Sequence, residues 1–232
     1  MNRSDFIAAV APVVVKVRVD GGVLFPSVSI AQTILETGAK FNAWNNIVGY
    51  KVGSGKLTPY WHGRSVSTTT WEVYDGVRHD GVVANWRAYD TIEDCLKDQA
   101  LLFLNNRSRY QPVIDAATPA QQARALYDSG YATDAPREVD GDPAYYEKIM
   151  SLVAAHGLTK YDKEAEDMLE RIAELEKRIA ALEALTAEGP PPEWAANTVK
   201  KLVDAKWLND PNGDRSFHRA LVVLDRAGVF GD

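Results

Sequence analysis

The sequence predicts an α+β protein, a mainly helical domain with one β-hairpin lobe that is followed by a long helix and a small helical module. Apolar residues three and four apart, typical of amphipathic helices, occur on both sides of a stretch at 50–86 that is rich in Gly, Thr, Val and Trp. From Lys163 the composition changes to Glu, Ala, Leu, Arg and Lys, which indicates a separate helix. We therefore expect domains at 1–160, 163–187 and 188–232.

The helices of the first domain have recognisable start and stop signals. Residues 5–19 are predicted to be helical and to stop at Gly21-Gly22, while Pro26 opens a second helix that Gly38 ends. Helical patterning resumes after the hairpin lobe. The predicted ranges are 91–105, 119–129 and 144–156.

The hairpin is predicted from a segment at 66–76 that is rich in β-branched and aromatic residues. It closes on the turn signal Asp75-Gly76 and also carries Glu72, so two acids lie on or next to one strand. The aromatic residues of the lobe have two readings, because rings can stack on sugar faces or cover the apolar side of a hairpin. Side chains alternate between the two faces of a strand, so Trp71 lies on the opposite face from Glu72 and is interpreted as a packing residue. For Trp61 both roles, sugar stacking and packing, stay open.

Glu36 lies in the last turn of the helix that Gly38 ends. A carboxylate there faces the negative end of the helix dipole and unpaired carbonyl groups, which disfavour ionisation and can raise its pKa. A raised pKa suits a general acid that works near neutral pH. With a second acid on a nearby hairpin, this is the arrangement that glycoside hydrolysis uses.

Five motifs occur in the order seen in family 73 glycoside hydrolases, which the chain resembles from about Asp5 to Lys160. This family comprises bacterial and phage peptidoglycan N-acetylglucosaminidases and includes flagellar rod-associated hydrolases. The motifs are Glu36-Thr37-Gly38, Asn45-Asn46-Ile47-Val48-Gly49-Tyr50-Lys51, Ser67-Thr68-Thr69-Thr70-Trp71-Glu72, Trp86-Arg87-Ala88-Tyr89-Asp90-Thr91 and Gly130-Tyr131-Ala132-Thr133-Asp134.

The resemblance implies a lysozyme-like fold with a cleft between two lobes, and peptidoglycan as the partner. Glu36 matches the catalytic acid, Glu72 the second carboxylate on a mobile hairpin, and Tyr131 a tyrosine that lines the cleft. The candidate substrate-binding residues are Asp75, Asn46 and Trp61.

Two departures from the family pattern bear on the site. Ala39-Lys40 follow the Glu-Thr-Gly motif, where the family has an aromatic residue and a glycine, and an extra acidic segment occupies 135–143. Because of the first departure, the sequence does not define which residues pack around Glu36. The second is expected to reshape one end of the groove.

Composition and charge exclude several other classes. The formal net charge of −6 argues against a nucleic-acid partner, because no basic stripe is present to neutralise phosphates. The single cysteine, Cys95, is interpreted as a core thiol within a helix. The four histidines are scattered without ligand or triad spacing, so we expect no metal and no cofactor.

The N-terminal segment is not predicted to be a signal peptide or a membrane span. Phe6 to Val19 is apolar, but it contains Lys16 and Arg18, lacks a small-residue cleavage site and is too short to cross a bilayer. We therefore expect a phage endolysin that stays in the host cytoplasm until the membrane is permeabilised, and then acts on the cell wall as an antimicrobial hydrolase.

The long helix carries a heptad pattern over 165–182, where apolar residues alternate three and four apart, with Ile at a and Leu at d. Arg171 and Arg178 at g and Glu176 and Glu183 at e would pair opposite charges in a parallel homodimer. A solitary linker helix, or one packed on the first domain, is the alternative. The seam consists of Ala165, Met168, Ile172, Leu175, Ile179 and Leu182.

The last domain begins after the stiff spacer Glu188-Gly189-Pro190-Pro191-Pro192 and is predicted to be a helical hairpin. It resembles half of a surface-layer-homology repeat, which implies wall attachment. Asp210, Asn212 and Asp214 alternate as in a calcium loop, but no bidentate Glu follows, so a solvated turn is preferred. The faces predicted to be buried consist of Trp194, Val199, Leu202, Val203, Phe217, Leu221, Leu224 and Val229.

The function expected from all of this is peptidoglycan hydrolysis by an endo-β-N-acetylglucosaminidase with Glu36 as general acid. A muramidase on the same fold, a catalytically silent wall-binding protein and a flagellar assembly hydrolase are the alternatives. The presence of Glu36, Glu72 and Tyr131 argues against the silent protein. Whether the reaction inverts the anomeric centre, or retains it through the substrate's acetamido group, depends on the distance between the two acids.

Overall fold

The computed structural model describes residues 1–74, 77–132 and 143–231, and at 70–74 and 77–80 it describes the backbone alone. The elements in chain order are α1 (Arg3–Val19), α2 (Pro26–Thr37), β1 (Ser65–Tyr74), β2 (Val77–Arg87), α3 (Ile92–Asn105), α4 (Arg107–Ile114), α5 (Pro119–Asp128), α6 (Tyr145–Ala155), α7 (Thr159–Thr186), α8 (Glu193–Asp204) and α9 (Arg215–Arg226). The predicted α+β class, mainly helical with one antiparallel hairpin, is confirmed. Helix α4 was not predicted, because it is short, contains Pro112 and lacks apolar periodicity.

Helix α2 runs through the centre of the body and packs against α1, α5 and α6. Every residue from Pro26 to Ile34 is buried, so the helix has hardly any solvent face before its last turn. Its start is capped by other segments: Gln122 Oε1 accepts from the Phe25 amide at 2.6 Å, and Asp162 Oδ1 from the Ser27 amide at 2.7 Å. Its end is set by Gly38, which takes the left-handed conformation at φ 60°.

Strands β1 and β2 pair antiparallel from Ser65↔Arg87 to Tyr74↔Val77. The register shifts by one residue after Thr70, where Gly81 has φ 78°, a backbone conformation that glycine adopts without strain. The predicted turn residues, Asp75 and Gly76, lie outside the described residues. The described part of the chain holds no third strand, so this sheet is a two-stranded ribbon.

The chain divides into two compact units, Met1–Leu169 and Glu170–Asp232. The core of the first unit contains most of the buried apolar side chains. The core of the second consists of Ala195, Val199 and Val222, with Leu208 and Leu221 packed against it. A hydrogen bond of 2.7 Å from Thr198 Oγ1 to Asp225 Oδ2 also joins α8 to α9.

The second unit buries only part of the apolar set predicted for its last helix, in which Leu221 packs against the core as predicted. In α9 the buried residues are His218 and Val222, four apart, whereas Leu224 is exposed. Outside α9, Trp194 and Val229 are also exposed. The difference arises because the core between α8 and α9 is built on the small residue Ala195 with Val199 and Val222, and Leu221 packs against it.

Helix α7 exposes an apolar stripe along its length. Ala165 is buried, so this first member of the predicted seam packs within its own unit. The other seam residues are exposed, and so are Leu169 and Leu185, which were not part of the predicted seam; the exposed seam residues are Met168, Ile172, Leu175, Ile179 and Leu182.

Candidate active site

A groove of about 420 Å³ lies beside the C-terminal end of α2 and extends to the hairpin. One wall is formed by the end of α2 and the loop that follows it, and the other by β1 and β2. The residues that line it are Glu36, Thr37, Lys40, Phe41, Asn42, Trp44, Asn46, Gly49, Thr68 and Trp86.

Glu36 projects from the last turn of α2 into this groove. Its Oε2 lies against the backbone of Gly49, where an added Cβ would come within 3.0 Å of that oxygen. Gly49 also has φ 65°, which a side chain would strain. Glycine at this position therefore lets the loop pass directly under the carboxylate.

The loop after α2 is held in place by asparagine side chains. Asn42 Oδ1 accepts from the backbone amides of Trp44 at 3.2 Å and Asn46 at 3.1 Å. Asn46 Nδ2 donates to the carbonyls of Tyr50 at 2.8 Å and Arg87 at 2.9 Å, and its Oδ1 accepts from the Tyr50 amide at 3.0 Å. Asn46, predicted to bind substrate, therefore lines the groove while its polar atoms bind the backbone.

Trp61, the other predicted aromatic contact, does not line the groove. Its side chain is 2 % exposed, and its Nε1 donates to the Arg64 carbonyl at 2.7 Å. The guanidinium carbon of Arg87 lies 4.3 Å from the Trp61 ring centre and 4.2 Å from that of Tyr50. Trp61 thus packs beneath the hairpin, and no ring face is open to a sugar.

The base of the hairpin is fixed to α3 by a buried ion pair. Arg87 Nη1 donates to Asp98 Oδ2 at 2.7 Å, and the Tyr89 hydroxyl donates to the same oxygen at 2.8 Å. Burial, with Cys95 and Asp98 acting in the same direction, raises the pKa of Tyr89 far above its usual value. Tyr89 therefore stays protonated and remains a donor to Asp98.

Tyr131 follows Gly130 at the end of α5, and its side chain is half-buried. Its hydroxyl accepts a hydrogen bond from Gln99 Nε2 at 2.9 Å. Burial raises the pKa of Tyr131 well above its usual value, Tyr145 and Glu36 add to that rise, and the Gln99 hydrogen bond opposes it. Tyr131 is therefore protonated near neutral pH, and the negative charge of Glu36 is one of the causes.

The remaining predicted site residues lie wholly or partly outside the described residues. Glu72 is on β1, where its backbone pairs with His79, and its side chain is not described. Asp75 and the segment at 133–142 are not described. The roles assigned to Glu72 and Asp75 stay predictions.

Several residues of the site were not anticipated. Trp44 and Trp86 lay within or beside the quoted motifs, yet spacing did not distinguish an exposed ring from a buried one such as Trp61. Gln32, Gln99 and Tyr145 form a buried hydrogen-bonded group with Tyr131. No local signal could have found them, because Gln32 and Gln99 are 67 residues apart in the chain.

The described residues contain no group of three or more His, Cys, Asp and Glu side chains placed to hold a metal ion. Burial raises the pKa of the Cys95 thiol to about 12, although backbone hydrogen bonds from Ile47 and Val48 oppose the rise. The thiol is therefore unreactive near neutral pH. None of the described helices is both long and apolar enough to cross a membrane.

A helical body with one hairpin lobe, and an acid that projects from the end of a buried helix into an aromatic-walled groove, define a lysozyme-like glycoside hydrolase. The sequence model of the glucosaminidase family, described as mannosyl-glycoprotein endo-beta-N-acetylglucosaminidase, matches residues 14–158. The chain belongs to this family, which confirms the resemblance to family 73.

Relatives and solved structures agree with this assignment. The chain is 35% identical to the exo-glucosaminidase LytG of Bacillus subtilis over 151 residues, which are 60% of this chain and 47% of LytG. It is 34% identical to the peptidoglycan hydrolase FlgJ of Salmonella typhimurium over 127 residues, 53% of this chain and 37% of FlgJ. The chain thus spans less than half the length of these relatives.

A solved structure with a similar fold supports the same assignment. The catalytic domain of the autolysin Auto from Listeria monocytogenes superposes with a TM-score of 0.54 at 25% identity, over 68% of this chain and 86% of that domain. The similarity therefore covers about two thirds of this chain and supports the same fold.

Proposed function

We propose that this protein cleaves the β-1,4 glycosidic bond of peptidoglycan as an endo-β-N-acetylglucosaminidase, with Glu36 as general acid. The observation that carries the proposal is the position of the Glu36 carboxylate, which lies at the end of a buried helix, against Gly49, in a groove of about 420 Å³. The names of the relatives support peptidoglycan as substrate, since FlgJ is a peptidoglycan hydrolase and LytG an exo-glucosaminidase.

The groove suits a glycan strand in shape and chemistry. Trp44 and Trp86 line opposite walls, and aromatic rings are the usual platform for the apolar faces of pyranose sugars. Lys40 adds a positive charge to the lining that carries Glu36, and the other described residues of that lining are neutral. That charge is compatible with a substrate that carries carboxylates.

In the proposed reaction Glu36 protonates the leaving glycosidic oxygen, and a second group stabilises the positive charge that develops on the sugar ring. Glu72 supplies that group from the hairpin, either by activating water or by orienting the substrate's 2-acetamido group. Tyr131 is not among the described residues that line the groove, and it contributes through its hydroxyl, whose pKa the Glu36 charge helps to raise. The hairpin carries Glu72 on a two-stranded ribbon, so closure on the substrate is expected to set the distance between the two acids.

The test is mass spectrometry of muropeptides released from purified Gram-positive wall, with Glu36→Gln as the inactive control. We expect reducing GlcNAc ends from the wild type and none from the variant. Reducing MurNAc ends would identify a muramidase on the same fold. Release of neither end, with binding to wall retained in a sedimentation assay, would contradict hydrolysis and identify a silent wall-binding protein.

We also propose that α7 joins two chains in a parallel homodimer, which pairs two wall-attachment modules. The stripe from Met168 to Leu185 is exposed, and Arg171 and Glu176 lie at flanking positions that would meet opposite charges in the partner. Two weak wall sites held together would gain avidity through effective concentration.

Light scattering at micromolar concentration tests the dimer. Ile172→Lys with Ile179→Lys puts two charges on the stripe and should give monomers, whereas Ala173→Lys with Ala180→Lys adds the same charges at the same spacing on the outer face and should leave the dimer intact. A monomeric wild type would contradict the proposal.

For its biological role we propose a phage endolysin that is held in the host cytoplasm until the membrane is permeabilised. The supporting feature is a hydrolase body joined to a separate small helical unit, which suits a wall-targeted lytic enzyme. Cells that express the protein in the cytoplasm should stay turbid until a pore-forming agent is added, and then clear rapidly. Clearing before the agent is added would contradict this role.

A further inference from the structure

Two glutamine side chains form a buried pair beneath the site. Gln32 is fully buried on α2, Gln99 is 2 % exposed on α3, and Gln99 Nε2 donates to Gln32 Oε1 at 2.7 Å. At the outer ends of the pair lie two tyrosines. Gln99 Nε2 also donates to the Tyr131 hydroxyl at 2.9 Å, and Gln32 Nε2 donates to the Tyr145 hydroxyl at 2.8 Å.

The direction of these hydrogen bonds is the informative feature. Both hydrogens of the Gln99 amide are used, one on Gln32 and one on Tyr131. Each tyrosine hydroxyl accepts from a glutamine, so its own hydrogen must leave in another direction. The pair thus acts on Tyr131 and Tyr145 in the same way, and sets each hydroxyl as a donor that points away from the amides.

The pair also lies close to the proposed acid. Gln32 and Glu36 are four residues apart on α2, on one helix face and about one turn, or 5.4 Å, apart along the axis. The Tyr131 and Tyr145 ring centres are 6.4 Å apart, so the two rings are neighbours. The charge of Glu36 is among the causes that raise the pKa of Tyr131, which places that hydroxyl within electrostatic reach of the carboxylate.

Burial of four polar groups has a cost that apolar side chains of the same size would avoid. An amide or hydroxyl removed from water needs its hydrogen bonds to be made, and replacing both partners by apolar groups can be nearly neutral for stability. The packing of α2 against its neighbours therefore does not require glutamines. Their distinctive effect is to fix which way the tyrosine hydrogens point.

We propose that Gln32 and Gln99 are positioning residues that hold the Tyr131 and Tyr145 hydroxyls as hydrogen-bond donors toward the Glu36 carboxylate. The inference rests on the proposed function, and it adds Tyr145 and the two glutamines to the residues of the site. A donor aimed at Glu36 stabilises the carboxylate that forms when the acid gives up its proton. The pair would therefore assist proton transfer to the glycosidic oxygen without contacting substrate.

The pH profile separates this role from simple packing. Glu36 must be protonated to act, so its pKa sets the alkaline limb of kcat/KM against pH. Loss of a donor destabilises the charged form and raises that pKa, which moves the limb to higher pH while kcat falls. Lys40 in the groove lining, Lys51 beside Trp86, buried Cys95 and the hairpin residue Glu72 are unchanged in all of the variants below.

A double-mutant cycle tests the link between Gln99 and Tyr131. Tyr131→Phe and Gln99→Met should each lower kcat about tenfold and move the alkaline limb up by about one pH unit, since one unit corresponds to a tenfold change in proton affinity. The double variant should be no slower than Tyr131→Phe, because Gln99 acts through that hydroxyl. Effects that multiply, or a limb that stays in place, would overturn the proposal.

Tyr145→Phe gives an independent test that leaves both buried glutamines in place. Tyr145→Phe keeps the ring and removes only the hydroxyl, so the fold should be retained. It should lower kcat by about threefold to tenfold and shift the limb in the same direction. An unchanged kcat and limb in Tyr145→Phe would remove Tyr145 and Gln32 from the proposal.

The matched control is Gln122→Met, at another glutamine that is 1 % exposed. Gln122 binds the Phe25 amide and the Val23 and Val113 carbonyls at the opposite end of α2. Loss of its amide should lower the melting temperature and leave kcat and the limb unchanged. A control that moved the limb as Gln99→Met does would assign the effect to packing and overturn the proposal.

An NMR measurement makes the inference independent of turnover. In protein labelled with 13Cζ-tyrosine, the Tyr131 and Tyr145 resonances are assigned by their loss in the Phe variants. Glu36→Gln should shift both resonances, because the group they face loses its charge, whereas resonances that do not move would overturn the proposal. A wild type that shows this coupling but cleaves no glycan would overturn the proposed function alone.

Discussion

The two walls of the groove are built in different ways. The α2 wall carries Glu36 on a helix that is buried from Pro26 to Ile34 and packed against three other helices. The hairpin wall is a two-stranded ribbon, and on its described part only Ala84 and Arg87 are buried. One wall is continuous with the core of the body, and the other is attached mainly at its base.

The difference indicates separate mechanical roles for the two acids. A two-stranded ribbon is marginally stable by itself, so its position depends on how its base is held. That base is fixed by the Arg87–Asp98 ion pair and by the side chain of Asn46, which binds the Arg87 carbonyl. We infer a fixed acid on the α2 wall and a second carboxylate that approaches the substrate with the ribbon. The predictions below test this contrast.

The largest effect is expected at the fixed wall. Glu36→Gln keeps the shape of the side chain but removes the proton, and should lower the rate of glycan cleavage by at least about 10²–10⁴-fold. Turbidity assays on purified wall measure the loss, with circular dichroism to check the fold. A folded variant within a few-fold of wild type would mean that the acid lies elsewhere.

The base of the ribbon should be the next most sensitive position. Arg87→Met removes one partner of an ion pair whose side chains are 6% and 1% exposed, and leaves Asp98 buried with its charge. Such a loss typically costs about 3–5 kcal/mol of unfolding free energy. Urea denaturation measures it. A loss below about 1 kcal/mol would show that the ribbon has another anchor.

The double variant Arg87→Met with Asp98→Asn is the control for that measurement. It removes the charge and keeps an oxygen that can accept from Tyr89. Part of the lost stability should return, because the unpaired buried charge is gone. If the double variant were less stable than Arg87→Met, the hydrogen bond from Tyr89 to the Asp98 carboxylate would stabilise the protein by more than the unpaired buried charge destabilises it.

The same contrast explains what the sequence could predict. The start of α2 at Pro26 and its end at Gly38 are local signals, and the structure confirms both. The hairpin also follows from local signals, since β-branched and aromatic residues occur at strand spacing. Glu36 was therefore placed correctly at a helix end, and the structure adds that this end opens into a groove.

Properties that depend on distant contacts could not be predicted. Trp61 and Trp86 both lie in the stretch at 50–86 that is rich in Gly, Thr, Val and Trp. In the structure, however, Trp61 is buried against Arg87, whereas Trp86 lines the groove. The Gln32–Gln99 pair joins α2 to α3 across 67 residues. In the second unit, hydrophobicity predicted the packing of Leu221, but it did not predict the burial of His218 and Val222 on the same helix.

A smaller catalytic effect is expected on the ribbon. Glu72→Gln should lower kcat by about 10–100-fold, less than Glu36→Gln, because water or the acetamido group can still react without full assistance. Wall sedimentation should be nearly unchanged, since the role is confined to the transition state. A variant that kept its turnover and lost binding would make Glu72 a subsite residue and Asp75 the candidate partner.

The smallest effect concerns Trp44 and Trp86, the two tryptophans that line the groove. If both rings stack on sugars, Trp44→Ala and Trp86→Ala should each raise KM severalfold with little change in kcat, since loss of uniform binding leaves the chemical step intact. Trp86 has a second attachment, because its Nε1 donates to Thr68 Oγ1 at 2.7 Å and thereby joins β2 to β1.

The comparison of these two variants distinguishes a rigid wall from a movable one. Trp86→Phe keeps an aromatic ring for stacking and for Lys51, whose Nζ lies 5.5 Å from the Trp86 ring centre, and removes the hydrogen bond to Thr68. If the ribbon must hold its shape to bring up the second carboxylate, Trp86→Phe should lower kcat by about twofold to fivefold, whereas Trp44→Phe on the fixed wall should leave it unchanged. Steady-state kinetics on a soluble peptidoglycan fragment measures both. Equal kcat values for the two Phe variants would mean that the ribbon is as firmly held as the helix that carries Glu36.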